Sequence, residues 1–303
     1  MAIVTADTRE QTGADITERR RSRDFHPAAW ICWATCAGIV TFTTTNPFYL
    51  ALVVATAWFV YATHRVPGPT ARAFRVFMMA GLMAMAIRTL LVFFGTVNAE
   101  SVAFAALEGM RLATLLIVFG TFNAVADAYG VVRLAPRRFH EPALAAALAL
   151  SIAPRTISMV GRVRESQELR GIRVSHWRGL VALVVPVLET GMEEAVTLAE
   201  SMDSRGHGRG TRSRYRPERW TRPAIAVSVA AVCAATIFLA AGLSTSSWAA
   251  GSAGLHPSTA PLMWPAANPV LLLAIGLLAV PGLWRGQGSG EARTLTGGAR
   301  DAL

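Results

Sequence analysis

The sequence predicts an all-α polytopic membrane protein with about six transmembrane helices and further amphipathic helices on the cytoplasmic face. Three observations predict it. Hydrophobic residues make up 53% of the 303 residues and charged residues 16%, with a mean hydropathy of +0.40, a balance that places the chain among membrane proteins. The apolar residues come in long blocks separated by short polar breaks. All 29 basic residues are arginine, and they fall between those blocks, where the positive-inside rule puts cationic residues beside a cytoplasmic membrane face. The formal charge of +10 is therefore read as topology charge, and nucleic acid is not expected as a partner. Cys32, Cys36 and Cys233 lie inside apolar blocks; their number and spacing suit small buried hydrophobes, and neither a disulfide framework nor a zinc site.

Taken in order, residues 1–24 are polar and end in Arg19, Arg20, Arg21 and Arg23, which predicts a disordered cytoplasmic tail before an uncleaved first span. Residues 25–135 hold four spans. The first is expected over 28–45 after His26-Pro27, and Asn46-Pro47 turns the chain into a short second span over 48–62. His64-Arg65-Val66-Pro67-Gly68-Pro69 breaks the helix, and Arg72 and Arg75 mark the cytoplasmic side. A third span, rich in methionine (Met78, Met79, Met83, Met85), covers 73–97 and turns at Asn98-Ala99-Glu100. A fourth covers 101–129 and returns to Arg133, Arg137 and Arg138.

Residues 136–221 differ in character, because charges recur between apolar residues at helical spacing. Here the pattern predicts membrane-surface helices on the cytoplasmic side. Glu141-Pro142 opens one that is expected to end near Ala153-Pro154, since proline is disfavoured beyond a helix's first turn. A second is expected over 155–170, with Ile157, Val160, Val163 and Gln167 on one side and Gly171 as its stop. A third, capped by Ser175 and bent at Pro186, carries Glu189, Glu193, Glu194, Glu200 and Asp203 opposite Ala195, Leu198, Ala199 and Met202, and Gly206 ends it. Residues 222–284 then hold two C-terminal spans, expected over 223–243 and 268–284, joined by an uncharged external loop over 244–267. Residues 285–303 are expected to be a flexible tail. Six crossings put both termini in the cytoplasm and satisfy every charged loop.

The motifs in this order resemble the transmembrane T-component of energy-coupling factor transporters over roughly residues 25–245. His26-Pro27 stands where that family opens its first span, Asn46-Pro47 where it turns before the second, and Arg111-Leu112 with Thr121 where its fourth span carries Arg-Leu and threonine. The family ends two coupling helices on arginine motifs, the second commonly Ala-Met-Glu-Ala-Arg-Gly. Ser201-Met202-Asp203-Ser204-Arg205-Gly206 matches it, followed by the arginine-rich 208–215 stretch. Glu168-Leu169-Arg170-Gly171 is the first, with Leu169 where the family has a small residue. The resemblance implies a non-catalytic subunit of a multi-pass importer in the cell membrane. It would clamp two ABC-type ATPase subunits, of the same or different chains, through Arg170, Arg205, Gly171, Gly206, Ser204, Leu169 and Asp203. It would also hold a small substrate-binding S-component for a vitamin or metal ion. No cofactor is expected in the chain itself, since the partners bind ATP; a chain without lysine has no Walker Gly-x-x-x-x-Gly-Lys-Ser/Thr.

On the residues alone, Arg170 and Arg205 have two readings. A planar guanidinium at a helix end can bind a partner's carboxylates or carbonyls in a fixed geometry, or it can simply complement the helix dipole at a glycine stop, an effect of about 0.3–1 kcal/mol. Pro186 is a candidate hinge or substrate-subunit contact. Arg88, Glu108, Arg111 and Asp127 lie in or near spans, where charge is expensive. Glu108 and Arg111, three apart, are expected to form a structural pair, with a proton or ion pathway as the sharper alternative. Two other classes remain: a membrane-embedded enzyme using Glu108, Arg111 and Asp127, and a self-sufficient secondary transporter, for which inverted repeats with broken helices are the signature.

Overall fold

The computed structural model describes residues 26–64, 69–94, 98–169, 171, 177–207, 220–243, 255 and 267–284. They form α1 (Pro27–Thr43), α2 (Pro47–His64), α3 (Pro69–Leu90) with a 3-10 turn at Leu91–Phe94, α4 (Ala99–Val125), α5 (Ala128–Arg133), a second 3-10 turn at Arg137–Phe139, α6 (His140–Leu169), α7 (Trp177–Ser204), α8 (Arg222–Leu243), α9 (Pro269–Leu278) and α10 (Val280–Leu283). There is no strand among the described residues, and the protein is an all-α polytopic membrane protein. By length and composition α2, the 73–94 stretch, α4, the 141–169 stretch of α6 and α8 can cross a membrane; α1 and α9 are shorter apolar helices. The chain divides into two compact units, residues 1–131 with 219–303, and residues 132–218.

In the first unit α1 packs on α8 and α4, α2 on α4 and α9, and α9 on α8. α3 lies along α4 through a seam of small residues. Phe77, Gly81 and Met85 on α3 face Gly120, Ala113 and Gly109 on α4, in antiparallel order. A Cβ on Gly120 would stand 2.7 Å from Phe77 Cβ, and one on Gly109 3.0 Å from Met85 Cα. Missing side chains let the two backbones approach, the usual basis of helix pairing where lipid removes the hydrophobic drive.

The polar groups inside this unit are paired, and no buried side-chain nitrogen or oxygen among the described residues lacks a partner. His26 caps α1 by accepting from the Ala28 amide at 3.2 Å, with Pro27 at the first helical position. The turn between α1 and α2 is held by buried Thr44 and Asn46. Asn46 Oδ1 accepts from the Phe48 amide at 3.0 Å, and Thr44 Oγ1 accepts from the Asn46 amide. The Thr44 hydroxyl and the Thr45 amide both donate to the carbonyl of buried Leu255, a residue of the expected external loop, the rest of which, up to residue 266, lies outside the described residues. Tyr49 accepts from the Asn268 amide at 2.7 Å.

The last span is broken between α9 and α10. Pro281 has no N–H to offer, and the Gly282 amide turns back to Ala279 at 2.9 Å, so the Leu278 carbonyl looks outside its own helix, while the Pro281 carbonyl accepts from the Trp284 amide at 3.2 Å and has a lone pair left over. Trp33 Nε1 donates to Leu278 at 2.9 Å and His64 Nε2 to Pro281 at 2.7 Å. Trp30 packs edge-on against His64, and His26 stacks on Trp220 at 4.4 Å.

In the second unit α6 packs on α7. Two sequence expectations fail here. The helix expected to stop near Ala153-Pro154 runs unbroken from His140 to Leu169 with Pro154 inside it. Proline removes one backbone bond, but the alanine- and leucine-rich turns on its N-terminal side are strong helix formers and carry the helix through. Its inner side is Ile152, Thr156, Met159, Val163 and Gln167, whereas Ile157 is 74% exposed. A continuous helix sets this register, so the expected face containing Ile157 and Val160 is displaced. α7 runs continuously from Trp177 to Ser204 with Pro186 inside it, as expected of one helix, and Leu198 and Met202 are half-buried while Ala195 and Ala199 are exposed. Ser175, expected to cap it, lies outside the described residues.

Candidate docking site

The two arginine motifs end α6 and α7. Leu169, the last residue of α6, is 85% exposed. The Gly171 amide donates to the Glu168 carbonyl at 3.0 Å, and the Glu168 carboxylate accepts from Arg164 Nε one turn back at 3.0 Å. Gly171 has φ +80°. Arg170 lies outside the described residues. At the end of α7 the Gly206 amide donates to Asp203 at 2.8 Å and the His207 amide to Met202 at 3.0 Å, the paired bonds of a Schellman stop. Gly206 has φ +78°.

These are the only two positive-φ residues among the described residues. In both places nothing lies within 4 Å of where a Cβ would stand, so glycine is required by backbone conformation and not by packing. The two motifs thus share one backbone device: an arginine followed by a left-handed glycine that stops a helix. Arg205 and Ser204 are exposed and Gly206 is half-buried. The Ser204 hydroxyl donates to Ser201 within its own helix at 2.9 Å, and Ser201 to Leu198 at 2.8 Å. Asp203 is exposed, and its carbonyl serves the Gly206 stop. An exposed cation at a helix C-terminus, held by a glycine stop, is placed to meet carboxylates or carbonyls of another molecule.

Pro186, the candidate hinge, is half-buried, and its carbonyl accepts from the Thr190 hydroxyl at 2.9 Å. The intramembrane charges separate into three settings. Glu108 and Arg111 do pair, at 3.3 Å. Arg111 also donates to the Phe42 carbonyl and lies over the Phe42 ring, 4.3 Å from its centroid. It thereby caps the C-terminal end of α1 from a helix 69 residues away in sequence. Asp127 stands apart from them: α4 ends at Val125, four residues before the expected end of the span, and the Asp127 side chain accepts from the Tyr129 amide at 3.2 Å to start α5. Arg88 sits in the last turn of α3, where a cation complements the helix dipole.

Sequence reasoning missed the Arg111–Phe42 contact and the Trp33 and His64 bonds to the broken last helix. An aromatic donor inside an apolar block is a weak signal that a carbonyl elsewhere needs a partner. No group of three histidine, cysteine, aspartate or glutamate side chains that could hold a metal ion is present among the described residues. The chain matches no known family model and no curated protein.

Proposed function

We propose that the chain is the transmembrane scaffold, or T-component, of an energy-coupling factor type importer in the cell membrane, with both termini in the cytoplasm. It couples ATP hydrolysis by two ABC-type ATPase subunits to movement of a small substrate-binding membrane subunit that takes up a vitamin or metal ion. The observation that carries this reading is the repeated arginine-glycine helix stop, with its glycines at φ +80° and +78°. The motif order from His26-Pro27 to Arg205-Gly206 supports it independently.

In this reading α6 and α7 are rigid rods, about 45 and 42 Å long at 1.5 Å per residue. Arg170 and Arg205 deliver the force of ATPase closure at their tips, and the Leu169 and Ser204 positions flank the contact. The ATPases bind ATP, and the scaffold performs no chemistry. The Glu108–Arg111 pair holds α4 to the end of α1 and is structural. A membrane-embedded enzyme built on Glu108, Arg111 and Asp127 is disfavoured by the position of Asp127 at a separate helix start.

The test is co-purification of the ATPases with Arg170→Glu, Arg205→Glu and the double variant. Membrane insertion is expected to be unchanged, each single variant to retain clearly less ATPase, and the double variant almost none. Normal ATPase recovery with the double variant overturns the docking role.

A further inference from the structure

Helix α6 carries an apolar stretch that its own fold covers only in part. Residues 142–154 contain no charge and eight alanines or leucines in succession from 143 to 150, yet none of them is buried. The 141–169 stretch is long enough to cross a membrane, but its thirteen uncharged residues span about 20 Å, short of the ~30 Å of a bilayer's hydrocarbon core, so a crossing would draw Arg155 into it. An uncharged helical run of that length is ordinarily a buried core segment or an interfacial one, and here burial is only partial, with Ala145, Ala149 and Ala153 exposed along one side. The surrounding charges choose the orientation. Arg133, Arg137 and Arg138 precede the run, and Arg155, Arg162 and Arg164 follow it. A crossing would put these two groups on opposite faces of the membrane, against the positive-inside rule; a helix lying in the plane keeps them on one face.

Arg155 and Arg162 are exposed and seven residues apart, which places them on one side of the helix, two turns from each other. Ser158 lies between them, its hydroxyl donating to the Arg155 carbonyl at 2.7 Å and accepting from Arg162 Nη1 at 3.5 Å, which steadies the Arg162 side chain on that face. Arg164 is engaged by Glu168, whereas Arg155 and Arg162 have no carboxylate partner among the described residues. We infer that α6 lies in the plane of the membrane interface, its uncharged stretch against acyl chains, and that Arg155 and Arg162 bind the phosphodiester of anionic phospholipid headgroups. This site is independent of the docking role of Arg170 and Arg205.

The full chain in lipid nanodiscs, with Cys32, Cys36 and Cys233 replaced by alanine, tests both parts. Nitroxide labels placed singly at positions 145, 149 and 153 are expected to report one shallow depth. A steady change of about 6 Å between successive labels would show a crossing, and exclusion of both oxygen and water-soluble relaxants would show a protein cover; either overturns the inference. In the second arm, spin-labelled phosphatidylglycerol is compared with phosphatidylcholine. Arg155→Gln and Arg162→Gln are each expected to lower the preference for the anionic lipid roughly five-fold, and Arg→Lys at both positions to retain it. Unchanged preference in the double glutamine variant overturns the headgroup assignment.

Discussion

The two units of this protein are both helical and both rich in apolar residues, yet they solve different problems. Among the described residues of the first unit, large side chains such as Trp33, Tyr49 and Phe238 are buried almost completely, and buried polar groups such as Thr44 and Asn46 all have partners. Among the described side chains of 132–218, Met159 alone is buried. Val185, Leu188, Met192 and Val196 form an exposed stripe on α7, spaced three or four residues apart. The first unit is a fold closed on itself, in which helix contacts are specified by close backbone approach and by hydrogen bonds. The second is a pair of helices whose described apolar side chains are mostly exposed or half-buried. A substitution that fills space should therefore be damaging in the first unit and mild in the second.

The largest expected effect breaks that contrast most directly. Gly120→Leu forces a side chain into Phe77 across the α3–α4 seam, where even a Cβ stands at 2.7 Å, and overpacking of this kind costs about 3 kcal/mol. Thermal unfolding in detergent should show a clear loss of stability, with reduced folded yield. Leu188→Gln, an equally drastic change of character on the exposed stripe of α7, should leave the transition of the same purified chain unchanged. Equal losses from both substitutions would mean that 132–218 is packed as tightly as the rest.

The contrast also explains what could be read from the sequence. Blocks of apolar residues mark out the apolar helices, because in lipid a helix must satisfy its own backbone and so announces itself by length and composition. The helix stops at Gly171 and Gly206 were legible for a local reason, since a left-handed residue after a helical run demands glycine. Boundaries decided by competition were not legible. Pro154 has the signature of a terminator, but the alanine-rich run before it outweighs one lost hydrogen bond. Val125 ends α4 although apolar residues continue, because Asp127 offers the Tyr129 amide a partner. Arg111 was readable as the partner of Glu108 three residues away. Its bond to Phe42 was not, since periodicity along one helix carries no information about which other helix ends beside it.

A smaller effect concerns the broken last span. Trp33→Phe keeps the aromatic bulk but removes the donor to Leu278, leaving a buried carbonyl without its partner at a cost of about 1–3 kcal/mol. The unfolding temperature should fall by less than with Gly120→Leu. Hydrogen exchange should rise mainly at α9 and α10 if the bond acts locally. A uniform rise through α1, α8 and α9 would show that the break in the last helix is set by the whole bundle.

The smallest expected effect on stability is the one that bears most on function. Gly206→Val puts a β-branched side chain at φ +78°, a conformation that costs an L-residue about 1–2 kcal/mol. The strain falls on the stop at the end of α7 and not on the bundle, so global unfolding should barely move. Faster exchange is expected at the amides of Gly206's replacement and of His207, the two donors that close the helix. If Arg205 docks a partner through the geometry of that stop, ATPase recovery should fall even though the arginine is intact. Gly206→Asn, which tolerates the left-handed region better than other non-glycine residues, should restore much of it. Loss of recovery with asparagine as severe as with valine would mean that the side chain itself obstructs the contact. Full recovery with valine would show that the arginine works without a fixed helix end, and the shared geometry of the two motifs would then be a matter of helix termination alone.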